Sequence, residues 1–133
     1  MTYVPLRNLP DVDDVVLEIL RAGGISCGPD NPPDILAVVP YVVARRYGGA
    51  AVDPEHLDRA LVQVDAYAVK RRDAADLAET CRVLLYNAWL TQTVYSAGHV
   101  TRFAEITAPS KLQTADEPDN LNRYHATYTL HVH

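Results

Sequence analysis

Cysteine is nearly absent. The 133-residue chain holds two, Cys27 and Cys81. Two thiols cannot make a disulfide framework, nor a structural zinc site, which needs four ligands. Phe, Trp and Met occur once each, and the aromatics do not interleave with basic residues, so a single-strand stacking platform is poorly supported. Positive charge is also in short supply: 12 Lys and Arg against 17 Asp and Glu give a formal net charge of -5. That argues against a duplex gripped through its phosphates, although a protein that merely surrounds DNA would tolerate the sign. No apolar run approaches the ~20 residues of a membrane span. The opening stretch MTYVPLRNLPDVDDVV lacks the apolar centre of a secretory signal, so the expectation is a chain made and kept in a cytoplasm until it assembles. The sequence has no P-loop, HExxH or CxxC.

What is present is an ordinary globular composition, 48% hydrophobic and 22% charged, at a length that suggests a single domain over 1–133 with a core of its own. The centre is Arg59–Leu90. Val62, Val64, Ala66 and Ala68 alternate with Leu61, Gln63, Asp65 and Tyr67, the period of a half-buried strand. The period then lengthens. Ala74, Leu77, Cys81, Leu84, Leu85 and Ala88 fall on one stripe of a long helix, with Arg72, Asp73, Asp76, Glu79 and Arg82 mostly opposite. Cys81 on that stripe reads as a small buried hydrophobe.

Around this unit the remaining elements follow from local chemistry. Pro10 and Asp11 open a short helix whose stripe is Val12, Val15, Val16, Ile19 and Leu20, and Gly23-Gly24 closes it. Ile25–Val39 reads as a loop broken by Pro32-Pro33, with Ile35 and Leu36 at its apolar end. Pro40–Ala51 reads as a strand that pairs with the central one through a turn at Asp53-Pro54. His99–Ala108 is a strand ended by Pro109, and Ser110–Asn122 a loop with Asp116, Glu117 and Asp119 clustered about Pro118. Arg123–His133 alternates throughout: Tyr124, Ala126, Tyr128, Leu130 and Val132 against His125, Thr127, Thr129, His131 and His133. The expected fold class is α+β, a mainly antiparallel sheet of about four strands with a long helix and a short N-terminal helix on one face.

No constellation declares an active site. His131 and His133 point the same way, two residues apart, and with His125 or His99 would suit zinc in a small metal-dependent enzyme; with no HExxH, CxxC or carboxylate-rich helix beside them, a polar sheet face is the preferred reading. Ser26, Cys27 and His56 resemble a nucleophile and base only in kind, since nothing fixes their proximity. The acidic loop lacks the alternating spacing and terminal Glu of a calcium loop. No cofactor and no metal is expected.

The stretches GGAAVDPEHLDRALVQVDAYA (Gly48–Ala68), DLAETCRVLL (Asp76–Leu85) and RFAEITAPSKLQTADEPDNLNRYHATYTLHVH (Arg102–His133), with the order of elements, resemble the tail terminator family of long-tailed bacteriophages, also called tail completion or minor tail proteins. The resemblance implies a structural virion subunit, not an enzyme. It would form a ring with copies of itself, usually a hexamer, at the head-tail junction. It would cap the tube of major tail protein, end tail polymerisation and meet the head-completion or neck protein. DNA would pass through the lumen without specific binding, and no membrane would be involved. The family transfers no invariant site. From chemistry, the contacts to a neighbour or tube are expected at Ile35 and Leu36 and in pairs between Arg45, Arg46, Lys70, Arg71 or Arg72 and Asp116, Glu117 or Asp119. A head-tail connector or neck ring protein has a similar sequence profile.

Overall fold

The computed structural model describes residues 9–53, 57–113, 118 and 120–133. The chain order is α1 (Val12–Ala22), β1 (Cys27–Gly28), α2 (Ile35–Val38), β2 (Tyr41–Asp53), β3 (Leu57–Ala68), α3 (Arg71–Thr91), β4 (Val100–Leu112) and β5 (Asn122–Val132). The sheet order is β1-β2-β3-β5-β4. The last strand is therefore inserted between β3 and β4, and α3 carries the chain across it. All neighbours pair antiparallel except β1 with β2.

The local signals explain most boundaries. Asp11 caps α1, its carboxylate accepting from the Asp14 amide at 3.3 Å. Gly24 takes φ +86 just past the helix end, a conformation that costs a side-chain-bearing residue more. Six residues of α1 are buried, Val12, Val15, Val16, Leu17, Ile19 and Leu20. An 11-residue helix is marginal alone; burying such side chains at about 1.5–3 kcal/mol each against the sheet is what holds it. α3 lies beside α1 on the same face of the sheet and contributes Ala74, Ala78, Cys81, Leu85 and Ala88. Beneath them sit Val42, Ala44, Val62, Val64, Ala66, Ala126, Tyr128, Leu130 and Val132. Both thiols are free and buried; burial pushes that of Cys81 up to about 12.

Three expectations need correction. Among the described residues the sheet has five strands, not about four. The extra one is Cys27–Gly28, two residues in the stretch read as pure loop, where Cys27 pairs with Val42 and Gly28 with Val43; too short for periodicity, it exists only because β2 is there to pair with. In the same stretch Ile35–Val38 forms one helical turn. Pro109 does not end β4, which runs on to Leu112. The ladder slips between Thr107 and Ser110, and Pro109 sits in that slip on an edge strand, where a missing donor is tolerated.

Candidate interaction surfaces

Among the described residues the sheet has one face covered by α1 and α3 and one largely free face. Cross-strand register builds the free face as rungs running β2, β3, β5, β4. One end is Tyr41, Tyr67, Arg123 and Leu112; next come Val43, Asp65, His125 and Ser110; then Arg45, Gln63, Thr127 and Thr107; then Gly48, Leu61, Thr129 and Ala104; and last Ala50, Arg59, His131 and Arg102. The character changes along this series. At the first end Tyr41, Val43 and Tyr67 form a small apolar cluster with Leu121, covered by Ile35 and Val39. In the second rung Asp65, 3% exposed, is the hub. His125 Nδ1 lies 2.6 Å and Arg123 Nε 3.0 Å from its Oδ1, and the Arg123 guanidinium stands over the Tyr67 ring. Such a buried carboxylate requires its partners, because an uncompensated buried charge is costly. At the last end the side chains are basic. The His131 imidazole is held below its ordinary pKa by burial first, then by Arg102 and Arg59 beside it. Beyond that rung His99 and His133 exchange backbone hydrogen bonds, and their rings meet edge to face.

The second surface is the β4 side of the molecule. Among the described residues β4 pairs only with β5, which leaves its outer edge open. Above it runs a stripe of α3, Val83, Tyr86 and Leu90, followed by Val94, at 45%, 42%, 60% and 74% exposure. Their spacing of three and four residues puts them on one side of the helix. Tyr86 meets Phe103 of β4 edge to face, and Arg82, Val83, Tyr86 and Phe103 line a shallow groove of about 330 Å³. Arg82 is fixed at its rim by Glu105 at 2.7 Å and Glu79 at 3.0 Å, which raise its pKa. Ile106, on the open edge, is 55% exposed. An edge strand beside an apolar shelf is unusual on a monomer and marks a contact surface.

The predicted site residues are scattered rather than gathered. Arg45 is exposed on the free face, where its Nε lies 3.0 Å from the Gln63 amide oxygen in the amide orientation that satisfies both groups. Arg46 turns to the helix side, with both terminal nitrogens on the Asp58 carboxylate, its Nε on the Gly48 carbonyl and its amide on Asp13 Oδ1 at 2.7 Å. Arg46 is thus engaged within its own subunit. Arg71 donates to the Tyr124 hydroxyl at 3.0 Å, while Arg72 and Lys70 are exposed at the start of α3. Ile35 helps cover the apolar end of the free face and Leu36 points outward, 36% exposed. Asp116, Glu117, Asp119 and His56 lie outside the described residues. Among the described residues no three His, Cys, Asp or Glu side chains gather as a metal site, and no described helix is long and apolar enough to cross a membrane. Asp65, Arg59 and Arg102 were not singled out by sequence. Alternation alone puts Asp65 on the polar face, but its alignment with His125 requires knowing that β3 pairs with β5.

Comparison with known proteins gives two findings. A family model described as phage tail termination protein matches residues 8–131. Solved structures of similar fold include a chain of the virion of a native gene transfer agent particle, with TM-score 0.65 and 17% identity, over 92% of this chain and 94% of that one. Among curated proteins none matches the chain.

Proposed function

The chain belongs to the phage tail termination protein family, and from that premise we propose that it caps the tail tube, ends its polymerisation and presents a surface for the head-neck complex. It acts by surface complementarity, with no bond made or broken. The proposal places it in the virion at the head-tail junction, in a ring of copies of itself, with the major tail tube protein on one side and the neck protein on the other. The observation that supports an assembly role is the open edge of β4 beside the exposed stripe Val83, Tyr86 and Leu90. A neighbouring copy seated there would pair the free backbone groups of β4 and bury the shelf in one step. Because one patch would meet a different patch on the next copy, the contact is head to tail, the kind that closes into rings. Arg45, Arg71, Arg72, Lys70 and Leu36 stand on other exposed parts of the subunit, where they would meet tube or neck.

The test is polymerisation of purified major tail protein followed by electron microscopy. With the wild-type chain present, tubes stop growing and carry a density at one end. Leu90→Glu with Ile106→Glu places charge in the shelf and at the edge, and tubes then lengthen as if nothing were added, while the thermal melt of the variant stays close to wild type. Binding of the wild-type chain to filled heads but not to tubes would replace this reading with a neck protein. Full capping by the double variant would remove the β4 side from the interface.

A further inference from the structure

We propose that the basic end of the free sheet face grips the phosphate backbone of duplex DNA without reading its sequence. The whole chain carries -5, yet its charges are segregated. Arg59 pairs across the ladder with His131, and His131 with Arg102, so two arginines flank one imidazole on three adjacent strands. Strand spacing puts the two arginine backbones about 10 Å apart. Both arginines are exposed, and among the described residues neither forms an ion pair with a carboxylate. That contrasts with Arg46, Arg82 and Arg123, each neutralised inside the subunit. Other arginines also lack an acidic partner, but Arg59 and Arg102 share one rung, and with Arg45 two rungs along the same face they make a local positive surface on a negative protein.

The chemistry of the rung selects the occupant. Its fourth member is Ala50, so the rung carries no large apolar or aromatic side chain, and a protein partner would find no anchor of the kind that dominates interfaces. The polar groups around it are the guanidiniums and the Thr101 and Thr129 hydroxyls, the groups that position proteins on phosphates. Few contacts make the grip weak and salt-sensitive, which suits a surface past which DNA slides. This inference concerns a different face from the tube-capping contact and stands or falls separately from it.

Fluorescence anisotropy of a labelled 20-base-pair duplex, titrated with the full chain at about 25 mM salt, tests it. The expected result is saturable binding that is lost by about 200 mM salt, with a salt slope of roughly two. Arg59→Gln and Arg102→Gln should each weaken binding roughly fourfold and lower the slope by about one. Lys111→Gln removes the same charge on the helix side of β4 and should leave the affinity as it was. Absence of binding at about 100 µM chain, the weak end of the ordinary range of non-specific dissociation constants at a higher salt than this one, would overturn the proposal. So would equal binding by the Arg59→Gln, Arg102→Gln double variant, or preferential binding of polyglutamate or of vesicles rich in phosphatidylserine. Tube capping assayed on the same preparation separates a failure of this inference from a failure of the capping function.

Discussion

At the scale of single residues, charge and polarity are handled by close pairing, and the pairs make sharp predictions. Asp58 is 4% exposed and takes both terminal nitrogens of Arg46. Asp58→Asn leaves a guanidinium facing a neutral amide in a half-buried site, so a loss of about 3 kcal/mol is expected in urea unfolding, the low end for a broken buried pair because Arg46 keeps some water. Tyr128 is the reverse case. It is fully buried and its hydroxyl has no hydrogen-bond partner among the described residues. Tyr128→Phe keeps the ring against Phe103 and removes the stranded hydroxyl, so stability should hold or rise by about 1 kcal/mol in the same assay. His131 sets a pH dependence. Its folded pKa is below the ordinary value of 6.5, so between the two values the unfolded chain holds more protons. Stability is then full above pH 6.5 and falls as pH drops through that window. The difference in unfolding free energy between pH 7.5 and 5.5 should be smaller in His131→Gln. These partnerships were the least legible part of the sequence. Asp65, Arg123 and His125 are separated by some sixty positions, and only the β3–β5 register brings them together.

Elements were far easier to read, because their signals are local. The change from a period of two to one of 3.6 between Ala68 and Arg71 located β3 and α3, and Asp11 with Gly23-Gly24 bounded α1. Proline was the weak guide. Pro109 reads as a terminator, but on an edge strand it can sit inside a ladder that slips around it. The β2–β3 hairpin depends on one glycine in a way the sequence does not announce. Gly49 has φ +94, and a Cβ there would lie 2.2 Å from the Arg59 carbonyl oxygen. Gly49→Ala must move backbone as well as adopt a strained dihedral, so a loss of at least about 2 kcal/mol is expected, read as a fall in the thermal midpoint. Ala50→Ser, one position on and exposed, should change the midpoint little and serves as the control.

For the molecule as a whole, the question is how an acidic subunit with one apolar shelf associates. The exposed stripe is narrow, and stable dimer interfaces bury about 800 Å² on each partner. A monomer, or a weak association, is therefore expected in dilute solution, with the ring forming on the tube end. Light scattering at micromolar concentration should give a mass near the 14.7 kDa of one chain; a stable hexamer without tubes would show that the shelf alone suffices. The position of β5 has a consequence for how this molecule comes into being. The last of these strands to be made, β5, lies in the interior of the sheet, between β3 and β4. Until Asn122–Val132 clears the ribosome, β3 and β4 have no strand to bridge them, and α3 lacks the middle of its floor. The nascent chain cannot ripen gradually from its first residue. It closes late, in one event that waits for β5, and any message truncated before β5 yields a product with two raw strand edges for the cell's proteases to clear.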